Sequence, residues 1–523
     1  MQNAQLYTIV ALCIYAIGMA LIGCLSYGKS KTLDGFLIGN RNIGAWVSAF
    51  AYGTTYFSAV IFVGYAGTHG WNIGIGSVWI GVGNAILGCL LSWILFAKRT
   101  RKMTRKLGAK TMPEFFAERY GSKTLKILSA VIIFVFLVPY SAAVYKGLSS
   151  IFNAIFPGVE IWVWMLIIAV LTSVYLVVGG YVATAYTDFV QGLIMIVGVV
   201  CVVVSVLGHE KVGGFKGLME GLSAYVPTAE GDTVTGAQLT NIFGGSAFRF
   251  LCFNIMLTSF GTWGLPQMVS KFYAIKDDSA IKRATVISTM FCLIIGCGAY
   301  LIGSASRLIL SELPAGGLDS VIPEVLMTTL TGSKITIALF AVIIVLLLSA
   351  SMSTLEAVVL TSASAVAVDL LPCIKKDIKP ETQMVITRLL CLVFVALSFI
   401  FATQNIPIIV SIMSFSWGVV SGCFIGPFVW GLFSKKITKA GAYAGMIAGL
   451  LTVGISTLVI TLNSGFGAAA AKSPEMGVAA MAVSMVIVPV VSLITPKMKS
   501  EKVDEIFSCF DEADAPSGES SGK

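Results

Sequence analysis

Two carboxylates lie inside long apolar runs: Asp188 in VGGYVATAYTDFVQG and Glu356 in SASMSTLEAVVLTSASAVAVDL. An acid at mid-membrane costs at least ~2.5 kcal/mol unless paired or hydrated, so each is a candidate for ion coupling. The run around Glu356 also gathers hydroxyls: Ser349, Ser351, Ser353, Thr354, Thr361, Ser362 and Ser364. Steps of three and four residues put Ala350, Ser353 and Thr354 on one helical face. A hard cation such as sodium takes several oxygen ligands, which two hydroxyls and the carbonyls of a broken helix would supply. Plainer readings stand beside these. Asp188 can cap the N-terminus of the helix it opens, and serines in membrane helices commonly bond the preceding turn or a neighbour. Lys146 could pair with Glu356 or snorkel to the lipid interface.

Other chemistry has little material. There are two histidines, His69 and His209, and eleven cysteines without CxxC or Cys/His spacing, so neither a zinc site, a disulfide framework nor Ser/His/Asp catalysis is written here. The 523 residues are 57% hydrophobic and 12% charged, where soluble domains carry about 25% charged residues. The formal charge of +9 punctuates apolar runs instead of forming a nucleic-acid patch. The expectation is an all-α polytopic membrane protein in the plasma membrane, not an enzyme, with the lipid bilayer as its surroundings and a monomer as its working unit.

Apolar runs of about 20 residues number thirteen: near 5–27, 45–68, 73–97, 124–152, 159–180, 186–208, 244–267, 283–306, 334–370, 385–403, 406–433, 440–462 and 476–495. The first has no basic residue before it and reads as an uncleaved helix. Basic residues concentrate in alternate connections, above all between Lys98 and Lys126, which places the N-terminus outside and the tail in the cytoplasm. Residues 1–496 read as one transmembrane domain. The polar tail, 497–523, is expected to be disordered, and the 210–241 connection to be an outer cap or a plain connector.

Secondary transporters place their ligands on interrupted helices near the midplane. Run two carries Gly53, Gly64 and Gly67 around Thr54, Thr55, Tyr56 and Ser58; run seven carries Gly261, Gly264 and Pro266 after Thr258 and Ser259. Ordinary small-residue packing is the alternative for either run alone. Their five-run separation suits equivalent places in two repeats.

YFSAVIFVGYAG, VGGYVATAYTDFVQG, GLPQMVSKFYAIKD, SASMSTLEAVVLTSASAVAVDL and FSKKITKAGAYAGMIAG together resemble the sodium/solute symporter family. The resemblance implies a leucine-transporter-like core of two inverted five-helix repeats, about 45–208 and 244–433. It implies sodium held by the carbonyls of Thr54, Phe57 and Ala350 and the hydroxyls of Ser353 and Thr354. It further implies a role for Asp188 near the ion's inward exit, where some members hold a second sodium. Tyr56 stands where proline symporters carry an aspartate. Glu356 and Ala357 stand where two-sodium members carry hydroxyls, so Glu356 could bring a proton or a stronger charge to the ion.

For the solute, Ser58, Asn254, Thr258 and Thr262 are pocket candidates, and Tyr65, Phe415 and Trp417 are candidates for an aromatic outer gate or for core packing. The expected cargo is a small carboxylate-bearing solute, an amino acid such as proline or a monocarboxylate, carried with sodium. The alternatives are a sugar or pantothenate-like vitamin, or a transporter-like sensor.

Overall fold

The computed structural model describes residues 2–26, 32–156, 158–227, 232–330, 334–375, 378–404 and 409–511. Among them no strand forms, and a single bridge pairs Ile43 with Ile275. Helix is the answer an apolar run must give, because backbone polar groups facing lipid have no partner outside their own segment. In chain order the principal helices are α1 (Gln2–Ser26), α2 (Ala45–Tyr56), α3 (Ala66–Ile73), α4 (78–106), α5 (Lys123–Ile155), α6 (Ile161–Leu207), α7 (Phe248–Gly264) and α8 (Pro266–Ala274). They continue as α9 (Asp278–Ile309), α10 (Lys334–Ser364), α11 (Pro380–Ala402), α12 (Ile409–Phe433), α13 (Lys439–Ser464), α14 (Ser473–Ile494) and α15 (Ser500–Phe507).

Ten helical stretches among the described residues are long and apolar enough to cross a membrane, against thirteen runs expected. The difference has a local cause: run two is broken into α2 and α3, run five folds as the first part of α6, and run seven gives an α7 of 17 residues. In α6 the break falls on Gly180, whose φ of 55° and ψ of −160° no helix contains and few side chains tolerate. Asp188 therefore lies well inside the second limb, and the helix-cap reading does not hold.

α10 and α12 are buried almost throughout, whereas α1 and α13 turn most of their surface outward to lipid. Close approach at the centre is carried by glycine: a Cβ on Gly70 would stand 2.1 Å from the backbone of Gly303. The basic end is tied by polar contacts. Arg101 reaches Asp278 at 3.0 Å and the Lys276 carbonyl at 2.7 Å, while Arg41 bonds the Ala109 carbonyl at 2.6 Å.

The tail departs from expectation. Residues 500–507 form α15, with Val503, Ile506 and Phe507 buried, and Arg119 sits 5.1 Å over the Phe507 ring. The remainder of the expected disordered segment, 512–523, lies outside the described residues. The 210–241 connection holds a helix, Gly214–Ser223, and is anchored further on by Asp232, 2.5 Å from Arg307. Gln238 adds a bond of 2.8 Å to the Asn72 carbonyl just after α3 begins to end.

Candidate functional site

The chain leaves helical geometry between α2 and the next helical turn. Phe57 is extended (φ −106°, ψ 104°), and the helix restarts where the Ser58 hydroxyl accepts from the Val60 amide at 3.2 Å. Ser58 thus caps the second half-helix, in which Val60–Tyr65 are wound as a π-helix. Carbonyls at the end of α2 are freed by this interruption.

Onto that end α10 brings Thr354. Its Oγ1 lies 3.2 Å from the Ala350 carbonyl, 3.3 Å from that of Thr55 and 3.4 Å from that of Thr54, and all four residues are buried. A hydroxyl has one hydrogen. It can satisfy one carbonyl, and the lone pairs of the others converge on the same place. Thr55, noted in the sequence beside the break, was not among the expected ligands; Phe57, which was, packs its ring against Tyr56 and Phe291.

The preceding residue, Ser353, stands 2.8 Å from Thr54 Oγ1 and donates to the Asp188 carboxylate. The other oxygen of Asp188 meets Lys271 Nζ at 3.4 Å, with both side chains almost wholly buried. Lys271 lies beyond run seven as hydropathy bounds it, and nothing in the sequence signalled that it would pair with Asp188. Glu356 is buried next to Thr187, 3.3 Å from its hydroxyl, and Tyr15 from α1 joins this side through a bond of 2.7 Å from Gln191. Lys146 lies instead beside Asp319, whose carboxyl is raised above its usual range by burial, while the Ile409 amide and Lys146 pull it back.

The residues expected at the pocket and gate separate into three groups. Tyr65 donates to or accepts from Ser414 at 2.7 Å and stacks on His69 at 5.1 Å, which stacks on Phe250 at 5.3 Å. Asn254 belongs to the same group, bonding the Phe250 carbonyl at 2.9 Å and keeping a buried Oδ1 without a partner. Trp417 forms the second group with Tyr56 at 6.2 Å and Tyr140 at 5.8 Å, its buried Nε1 likewise unpartnered. Thr258 and Thr262 form the third. They bond Asn84 at 2.7 Å and the Gly88 carbonyl at 3.0 Å, so both hydroxyls sit in the seam between α7 and α4. Phe415 joins none of these. It lines a separate apolar cavity of about 160 Å³ with Pro139, Phe401 and Phe466.

Buried oxygens from a broken helix and its partner, a buried carboxylate beside them and aromatic residues above describe a carrier rather than a pore. The family profile described as "Sodium:solute symporter family" matches residues 36–449. The chain belongs to the sodium:solute symporter family. It is 28% identical over 519 residues to a sodium/proline symporter of Haemophilus influenzae, covering 97% of each chain. It is also 28% identical over 466 residues to a high-affinity proline transporter of Bacillus subtilis, covering 86% of this chain and 93% of that one.

Among solved structures, a sodium-coupled sialic acid symporter in a substrate-bound, outward-open state superposes with a TM-score of 0.74 at 17% identity, covering 94% of this chain and 99% of that one. A manganese transporter of Eremococcus coleocola gives a TM-score of 0.51 at 13% identity over 88% of this chain. The fold is accordingly of the leucine-transporter kind, and this family member is an integral membrane transporter of small solutes coupled to sodium, not an enzyme.

Proposed function

We propose that the protein imports proline, or a closely similar small carboxylate-bearing solute, with sodium bound between the end of α2 and α10. The observation that carries the sodium part is Thr354 Oγ1 standing within 3.2–3.4 Å of three carbonyls with one hydrogen to give. Thr54, Ala350, Ser353 and Thr354 supply ligands on this reading, Thr55 adds a carbonyl, and Phe57 contributes one if the break closes on the ion. Asp188 holds the Ser353 hydroxyl hydrogen, which turns an oxygen lone pair toward the cation.

The solute reading is supported by the relatives, which are proline transporters, and by the pairing of polar and aromatic groups beside the break. A carboxylate and a small apolar ring suit Tyr56, Tyr140 and Trp417, with the unpartnered Trp417 Nε1 as a donor. Tyr65, Ser414 and His69 act as the outer gate. Phe415 is left out of it. Two inverted repeats, about 45–208 and 244–433, rock about this centre, with the N-terminus outside, the basic end in the cytoplasmic face of the plasma membrane and the monomer as the unit.

Sodium entry at 100 mV contributes ~2.3 kcal/mol beyond the concentration gradient. The test is uptake of labelled proline into proteoliposomes with sodium or choline outside. Proline uptake that requires sodium and saturates supports the reading; sodium-dependent uptake of a monocarboxylate or pantothenate with proline inert replaces the solute and keeps the ion.

A further inference from the structure

Asp188 and Lys271 form a buried ion pair whose two halves belong to different helices. Asp188 is on α6, and Lys271 is on α8, a half-helix that starts at Pro266 after the chain breaks at extended Leu265. Nζ reaches one carboxylate oxygen at 3.4 Å, and the ammonium also stands 5.3 Å over the Tyr181 ring. The second carboxylate oxygen takes the Ser353 hydrogen, and Ser353 touches Thr54 at 2.8 Å. One carboxylate therefore serves a hydroxyl of the sodium site and a fixed cation at once.

The same lysine lines a cleft at the basic end of the molecule. Thr184, Thr361, Ala357 and Lys110 line it with Lys271, and its room of about 30 Å³ is enough to admit water. The line from Ser353 through Asp188 and Lys271 thus ends at an opening on one face.

We propose that Lys271 is a tethered cation that competes with sodium. With its ammonium on Asp188, a second positive charge at Ser353 is disfavoured, because like charges a few ångströms apart in a buried site repel strongly. When α8 swings its ammonium away, Asp188 is left to favour sodium through Ser353. Lys271 is in this sense a positioning residue for ion release toward the basic end. The inference rests on the sodium site proposed above.

The experiment uses full-length protein, purified and reconstituted, with Lys271→Gln and Lys271→Arg. Two quantities are read: the sodium concentration giving half-maximal thermal stabilisation, and the maximal rate of net sodium-driven solute uptake. Lys271→Gln is expected to bind sodium tighter by about fivefold or more, in the range of ordinary coupling factors, while net uptake slows. Lys271→Arg keeps a cation in place and stays near the native values. A purely structural role would weaken both quantities together, and sodium binding that is unchanged or weaker in Lys271→Gln overturns the proposal. Should that variant fail to fold with its carboxylate unpaired, the comparison of Asp188→Asn with Asp188→Asn/Lys271→Gln decides in the same way. Ser353→Ala separates the two levels: if it leaves sodium stabilisation unaltered, the sodium site itself is misplaced; if it weakens sodium and Lys271→Gln does not tighten it, only the role of Lys271 falls.

Discussion

Ser353 lies between Thr54 and Asp188: its hydroxyl is 2.8 Å from Thr54 Oγ1 and gives its hydrogen to the Asp188 carboxylate. That one side chain joins the end of broken α2 to an acid on α6, so a change at Ser353 is felt in two neighbouring helices.

Ser353→Ala and Thr354→Ala should each raise the sodium concentration for half-maximal uptake by about tenfold, the effect of losing an interaction worth roughly 1.4 kcal/mol. The protein should remain folded, because removing a small hydroxyl leaves little empty space. Sodium titrations of uptake and of thermal stabilisation check both statements, and Ser351→Ala, whose hydroxyl bonds the Leu347 carbonyl in its own helix, is the control expected to change little.

Tyr65→Phe removes the hydroxyl paired with Ser414 while keeping the ring stacked on His69. A neutral buried bond contributes about 0.5–1.5 kcal/mol, so apparent solute affinity should fall by a few-fold to about tenfold and solute should dissociate outward faster. Binding measured with sodium held saturating distinguishes this from an effect on the ion.

Trp417→Phe keeps the aromatic contacts with Tyr56 and Tyr140 and deletes the unpartnered Nε1–H. Weaker solute binding at unchanged sodium affinity is expected. Loss of both in parallel would place Trp417 in the core instead of the pocket.

The 209–243 connection should respond to acid. Asp232 is held below its ordinary carboxylate range first by its hydrogen bond with Arg307, then by the Val234 amide. A depressed folded-state value means that the contribution is complete above the unfolded value, near ~3.9, and is lost as pH falls through the lower, folded one. Protease protection of the 209–243 connection should therefore hold at neutral pH and fail only in strong acid. Asp232→Asn should open it at neutral pH without altering sodium binding, as followed by limited proteolysis of the reconstituted protein.

Hydropathy made most of the fold legible, since a bilayer allows an apolar run few structures other than helix. The interruption of run two was readable from Gly53 beside Thr54 and Thr55. That of run seven was placed loosely: the break comes at Leu265, where Pro266 starts the next helix at its first turn. Spacing alone put Ser353 and Thr354 on one face. The pairing of Lys271 with Asp188 was hidden, because a lysine near the end of an apolar run looks like any loop lysine until the half-helix α8 carries it inward. The bonds of Thr258 and Thr262 to Asn84 and the Gly88 carbonyl were likewise not legible, since a hydroxyl in a membrane helix serves a helix seam as readily as a ligand. In the tail, the spacing of Val503, Ile506 and Phe507 was a short amphipathic signal outweighed by polar composition.

The most direct test of the central claim is thermal stabilisation of purified protein by sodium, against choline at equal ionic strength, in the native chain and in Ser353→Ala/Thr354→Ala, each with and without proline. A ligand that binds only the folded state stabilises it by mass action. The account requires sodium to stabilise the native chain, proline to add to it when sodium is present, and the double variant to lose the sodium response. Equal sodium stabilisation of both chains would contradict it.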